Sequence, residues 1–189
     1  MTATDPRPLT GEPVALDLLN TRWVADGTPL DLFAGAGIGL TRVEGLEIWL
    51  RSTGLDAERG FRADPATLVH LLTAREALAR AVADPADPGA RSLVDAVLEH
   101  GRIRATLTAD GPGERAEFAD PSWGPAWTAA RNYLELLGSA PDRIRKCASE
   151  TCVLHFHDVS RNGTRRWCSM AGCGNRAKAS RHYARTRER

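Results

Sequence analysis

The chain has 189 residues, 42% apolar and 26% charged, with a formal net charge of +1, a globular composition that leaves room for one medium domain and a small module. It holds no run of 18 apolar residues and no low-complexity tract, so neither a membrane-spanning helix nor a disordered chain is expected. The near-neutral total conceals a division, because residues 143–189 carry 12 Lys and Arg against 3 Asp and Glu, while residues 1–142 carry 13 against 21. A tail of +9 thus follows a body of −8, which directs the tail toward a polyanion or onto its own acidic body.

Residues 1–13 are polar with three prolines and are expected to fray. The run from Val14 to Trp23 reads as strand or helix by pattern alone. Residues 24–40, punctuated by Gly27, Pro29, Gly35, Gly37 and Gly39, read as a loop. The segment AGAGIGL within it lacks the preceding strand and the following Gly-Lys-Ser/Thr of a phosphate-binding loop. Thr41 and Glu44 make a capping box for a helix carrying Leu46, Trp49 and Leu50 and ending near Gly54. Asp64-Pro65 starts a second helix, with Leu68, Leu71, Leu72, Leu78 and Val82 at helical spacing. The segment DPADPG breaks it, and Leu93, Val94, Val97 and Leu98 mark a third. Residues 103–108 and 115–119 alternate around Asp110-Gly-Pro-Gly113 as a hairpin. A last helix runs from about Ser122 to Leu137 and ends at Gly138. Trp23, Trp49 and Trp127 fill the core or line a ligand pocket. Asp17, Asp31 and Glu76 have no evident partner, and no Ser-His-Asp or Cys-His arrangement stands out, so no catalytic residue is assigned and the chain is not read as an enzyme.

All four cysteines, Cys147, Cys152, Cys168 and Cys173, lie in the tail with the spacing C-x4-C-x15-C-x4-C. Two close pairs across a mid-length loop can place four thiolates around one structural Zn²⁺. A tail of this size buries little apolar surface, and a metal can hold it together. The alternative, two disulfides, needs an oxidising compartment. The N-terminus has no apolar run of a secretory signal, so a cytoplasmic chain is expected. His155 and His157 read as strand residues outside the ligand set, and their role is left open. Residues 153–158 should form one strand, Ser160 to Gly163 a turn and Arg165 to Cys168 a returning strand, before a helix begins near Cys173. This is a treble-clef-like order. The helix carries Arg176, Lys178, Arg181, His182 and Arg185, with Arg181 and Arg185 on one face and Lys178 and His182 on another. Like charges so placed destabilise an isolated helix and are relieved by an anion such as duplex phosphate. Arg176 can reach a phosphate, a base edge or the carboxylate of Asp158; Asn175 can bond a ligand sulfur or local backbone.

Phe156-x-Asp158, Ser160-Arg-Asn162, Arg165-Arg-Trp-Cys-Ser-Met170, Cys173-Gly-Asn-Arg176 and Lys178, with the Cys147 and Cys152 pair, resemble the CGNR zinc-finger family. Leu16-Asp-Leu-Leu-Asn-Thr21, Trp49-Leu50 and the Leu-rich helix around Arg75 resemble its companion ABATE domain more loosely. The resemblance implies a stress-related bacterial transcription regulator with a zinc-dependent DNA-binding C-terminus, the four cysteines as ligands, and Arg176 and Lys178 as contacts. Arg165, Arg166, Asn175, Arg181, His182 and Arg185 complete the candidate nucleic-acid-binding set.

The expected architecture is mainly α with a small β element. Residues 1–140 form a helical, ABATE-like domain and residues 143–189 a treble-clef-like zinc module. The expected partner is double-stranded DNA, with the body sensing a small molecule or forming a homodimer. An RNA-binding or protein-interaction module is the alternative.

Overall fold

The computed structural model describes residues 4–35 and 37–180. The run at Val14 resolves into helix α1 (Val14–Leu19) followed by strand β1 (Arg22–Ala25). The region expected to be a loop contains strand β2 (Thr28–Asp31), paired antiparallel to β1 with Val24 opposite Pro29. Pro29 argued against a strand, but a two-stranded ribbon leaves each strand an open edge where a missing N–H costs nothing. Asp26 and Gly27, both at positive φ, make the turn. Beyond it, Gly35, Gly37 and Gly39 all adopt positive φ, so backbone geometry accounts for these glycines without a phosphate.

Helix α2 (Arg42–Ser52) has the expected capping box, with Thr41 Oγ1 accepting from Glu44 N and Glu44 Oε2 accepting from Thr41 N. Gly45 sits against the Leu32 carbonyl, where a Cβ would collide. After the short α3 (Leu55–Arg59), Asp64 caps α4 (Pro65–Ala83) by accepting from Thr67 N at 2.8 Å. Asp87 caps α5 (Pro88–Leu98). Strands β3 (Gly101–Thr108) and β4 (Gly111–Phe118) form the expected hairpin. Helix α6 (Gly124–Ser139) runs through Gly138 and stops before Pro141, because the residue before a proline is driven out of helical geometry.

Helices α1, α2, α5 and α6 pack around α4. Leu16, Leu18, Leu46, Trp49, Leu71 and Leu78 are fully buried between them, and Phe33 meets Trp49 edge-on at 6.1 Å. Trp23, Trp49 and Trp127 all belong to the interior.

Two buried ion pairs join distant segments. Arg75 of α4 donates to both oxygens of Asp31 at 2.8 Å and to Thr21 Oγ1 at 2.7 Å. Arg7 donates to Asp5, Asp17 and Ser52, and its side chain is fully buried. Asp17 and Asp31 therefore do have partners, and Glu76 pairs with Arg80 at 3.3 Å. The N-terminal segment from Asp5 onward is not frayed, since burying an arginine requires the carboxylates that surround it. Among the described residues, no helix is long and apolar enough to cross a membrane.

The cysteine-rich segment adds strands β5 (Ile144–Lys146) and β6 (His155–His157), antiparallel to each other. The return expected at Arg165 to Cys168 is not a strand. The buried Asp158 carboxylate takes the N–H of Arg165 at 3.0 Å and that of Ser160 at 2.9 Å, so side-chain bonding replaces a ladder there. A π turn (Met170–Gly174) leads into helical residues 175–180. The architecture is mainly helical with small antiparallel ribbons and a C-terminal treble-clef-like module.

Candidate metal centre and its basic flank

Cys147 follows β5 and Cys152 precedes β6; their knuckle is closed by Cys147 N donating to Leu154 O at 2.9 Å. Cys168 is placed by its N–H on Cys147 Sγ at 3.4 Å, and Cys173 by the π turn. Gly174 follows it where a Cβ would press on the Met170 sulfur. All four cysteines are buried and unbridged, and their sulfurs lie within 4.8 Å of one another. Cys152 to Cys168 is 3.8 Å and Cys168 to Cys173 is 3.6 Å. A disulfide requires about 2.05 Å. A tetrahedron with metal–sulfur bonds of about 2.3 Å has sulfur–sulfur edges of about 3.8 Å. The four cysteines thus fit a tetrahedral, all-sulfur metal site in which every coordination position is taken by a thiolate.

The bond from Cys168 brings the Cys152 pKa down to about 5 against the effect of burial. The same bond, with burial, pushes Cys168 far above the ordinary thiol range. Burial raises Cys147. Four thiolates cannot crowd together without a cation to neutralise them.

Arg176 departs from its one expected partner within the chain, Asp158: its Nη2 donates to Cys173 Sγ at 3.1 Å. This bond raises the guanidinium pKa and supplies a charged donor beside the ligand set. Asn175 Nδ2 points to the Ala171 carbonyl at 3.5 Å. Arg165 lies over the Phe156 ring at 4.1 Å and donates to the carbonyls of Trp167 and Cys168 and to Glu12. Arg166 covers Trp167 at 5.4 Å. Arg166, Asn175, Arg176 and Lys178 are exposed. Arg181, His182 and Arg185 lie outside the described residues.

The centre is fastened to the body through β6. Leu154 O and Asp158 N bond toward β5 and its flanks, while His155 and His157 face the body. Asn20 Nδ2 donates to His155 O, and His155 N donates to Asn20 Oδ1, both at 2.8 Å. His157 N donates to Glu12 Oε2 at 2.8 Å. Neither histidine joins the cysteine cluster. Burial, with Lys146 nearby, lowers the His155 pKa to about 4, and His157 Nε2 is buried without a hydrogen-bond partner. Sequence reasoning missed Glu12 and Asn20, although Asn20 lies inside the motif Leu16-Asp-Leu-Leu-Asn-Thr21.

Residues 143–186 match the CGNR zinc finger family model. Residues 12–140 match the ABATE model, whose description is "Putative stress-induced transcription regulator". No curated protein matches the chain.

Proposed function

The chain belongs to the ABATE family and carries a CGNR zinc finger, and from that premise we propose that it is a cytoplasmic DNA-binding transcription regulator. One structural Zn²⁺ is held by Cys147, Cys152, Cys168 and Cys173. It fixes the helix start so that the basic segment meets duplex phosphate. Arg166, Arg176 and Lys178 are the exposed contacts, continued by Arg181, His182 and Arg185. Asn175 orients the turn and Arg165 braces it from within. The helical body senses a small molecule or forms the homodimer that a two-fold operator would require. No residue is assigned a catalytic role.

The observation that carries this reading is the pair of exposed basic residues, Arg176 and Lys178, on the helical residues 175–180 that begin at a four-sulfur site. A closed site performs no Lewis-acid chemistry on a substrate and serves as a rigid mount. The described aromatics of the module favour duplex over single-stranded RNA. Phe156 is wholly buried and the Arg166 guanidinium lies over one face of the half-buried Trp167, so stacking room for a base is reduced. The test is a titration of the zinc-loaded chain with its own upstream duplex, a scrambled duplex and a matched RNA at two salt concentrations. Tight, salt-dependent preference for the upstream duplex is expected. Equal, weak binding to all three would overturn the reading in favour of a protein-interaction module.

A further inference from the structure

Two histidines clamp a tryptophan at the surface of the body. His70 of α4 stacks on Trp123 at 3.8 Å with the rings 14° apart. His100, just before β3, stacks on Trp123 at 3.5 Å and 6°. Two rings this close to one indole cannot share a face, so one lies on each side. Ser122 Oγ holds His70 Nδ1 at 3.1 Å and is itself held by Asp120 at 2.7 Å. The result is a fixed three-ring pile whose spacing is that of stacked bases.

His100 is exposed and, among the described rings, stacks on Trp123 alone, which leaves its other face without an aromatic partner. His100 lines an open groove of about 780 Å³ together with Arg102, Arg115, Glu117 and Glu99, and Trp123 takes no part in that groove. Its volume lies within the usual range of small-molecule sites, about 300–1,000 Å³.

The groove also carries two guanidinium groups, Arg102 and Arg115, beside the carboxylates of Glu99 and Glu117. The register places Arg102 opposite Glu117 and Arg104 opposite Arg115, all on one face of the β3–β4 ribbon. Glu117 accepts from Arg102 at 2.9 Å and from Arg104 at 2.6 Å. Like charges directly across a ribbon destabilise it, and the carboxylates of Glu117 and Glu99 leave the three arginines with a net positive charge. A multivalent anion against Arg102 and Arg115 would relieve this, and guanidinium forks suit phosphate oxygens.

We propose that this groove binds a nucleoside phosphate, with the base stacked on the free face of His100 and the phosphates against Arg102 and Arg115. A free mononucleotide is the ligand. Glu99, at the rim, accepts from an amino group of the base. The inference gives a chemistry to the ligand-sensing body proposed above and rests on that reading for its regulatory meaning; the binding itself involves no DNA.

The test is calorimetric titration of the full, zinc-loaded chain with ADP, adenosine and inorganic pyrophosphate. ADP should bind at least about tenfold more tightly than either fragment, since it adds a stacked base to pyrophosphate and guanidinium–phosphate bonds to adenosine. His100→Ala should weaken ADP about tenfold while His100→Phe, which keeps a stacking face, stays close to the parent. Arg115→Ala should weaken ADP and pyrophosphate alike by about tenfold. Circular dichroism and zinc content should not change in any variant. No heat with ADP at about 1 mM, an affinity too weak to matter, would overturn the proposal. So would pyrophosphate binding as tightly as ADP, His100→Ala and Arg115→Ala leaving ADP unaffected, or a short single-stranded oligonucleotide outcompeting ADP at the same residues. Duplex binding without any ADP response would remove this inference and leave the DNA reading intact; ADP binding without duplex binding would do the reverse.

Discussion

Asn20 and His155, 135 residues apart, exchange two hydrogen bonds of 2.8 Å in which a side-chain amide takes the place of a neighbouring strand. Asn20 is wholly buried. Asn20→Ala strands a buried N–H and a buried C=O on β6, and each such group costs about 1–3 kcal/mol. The expected loss is about 3 kcal/mol, read as a lower urea midpoint. If the variant unfolds like the parent, the module is not held by this contact.

Arg176 offers a way to separate support of the metal from contact with DNA. Arg176→Ala removes the donor on Cys173 Sγ, and loss of such outer partners typically costs about 10–100-fold in metal affinity. Competition with a chromogenic chelator measures this. If Arg176 also contacts a phosphate, the slope of log K against log salt falls by about 1 in the zinc-saturated variant. A changed chelator curve with an unchanged slope would confine Arg176 to the metal.

Cys168 bonds three of its neighbours in the cluster: Cys147 Sγ accepts its N–H, and its sulfur lies against Cys152 and Cys173. Cys168→Ser should reduce bound zinc from one per chain to near none and abolish duplex binding, while the helical signal of residues 12–140 persists. Retention of zinc, measured by atomic emission, together with parental DNA affinity would refute the assigned ligand set.

The Asp31–Arg75 pair sets part of the acid limb of stability. Burial works against the Asp31 carboxylate, but the hydrogen bonds and charge of Arg75 outweigh it and lower its pKa. A depressed folded pKa contributes stability that is present above the unfolded value of about 4 and is lost as pH falls through the folded one. Asp17 runs in the opposite sense: burial raises it in spite of Arg7, so its contribution declines as pH rises past the ordinary carboxylate range. Asp31→Asn leaves the buried Arg75 without its counter-charge, costing about 3 kcal/mol near neutrality. The variant should also show a flatter decline in urea midpoint between about pH 5 and pH 3. An unchanged acid limb would assign that limb to other carboxylates.

How far the sequence reveals this fold depends on the range of each interaction. Thr41 with Glu44 and Asp64 with Pro65 act within one helical turn, and their spacing is visible in the chain. The cysteine cluster was also legible, because four ligands of one chemical type announce themselves by count and interval. Asp17 and Asp31 looked solitary because Arg7 is joined to Asp17 only by the course of α1, and Arg75 lies 44 residues beyond Asp31. The β1–β2 ribbon was hidden by Pro29, which sits where no ladder bond is needed. The strand expected at Arg165 failed because Asp158 offered its backbone a closer acceptor. The His70–Trp123–His100 pile has no linear signal, since its members come from α4, the turn before α6 and the turn just before β3.

The covered rim of β6 has a consequence for self-association. A short strand with free N–H and C=O groups is a template on which another chain can add itself. Here Asn20 occupies both outward groups of His155 and Glu12 the outward N–H of His157, so the body acts as a permanent plug for that template. The terminal module severed from its body would expose the rim. Clumping of the isolated piece would then report a lost seal, whatever the state of its metal.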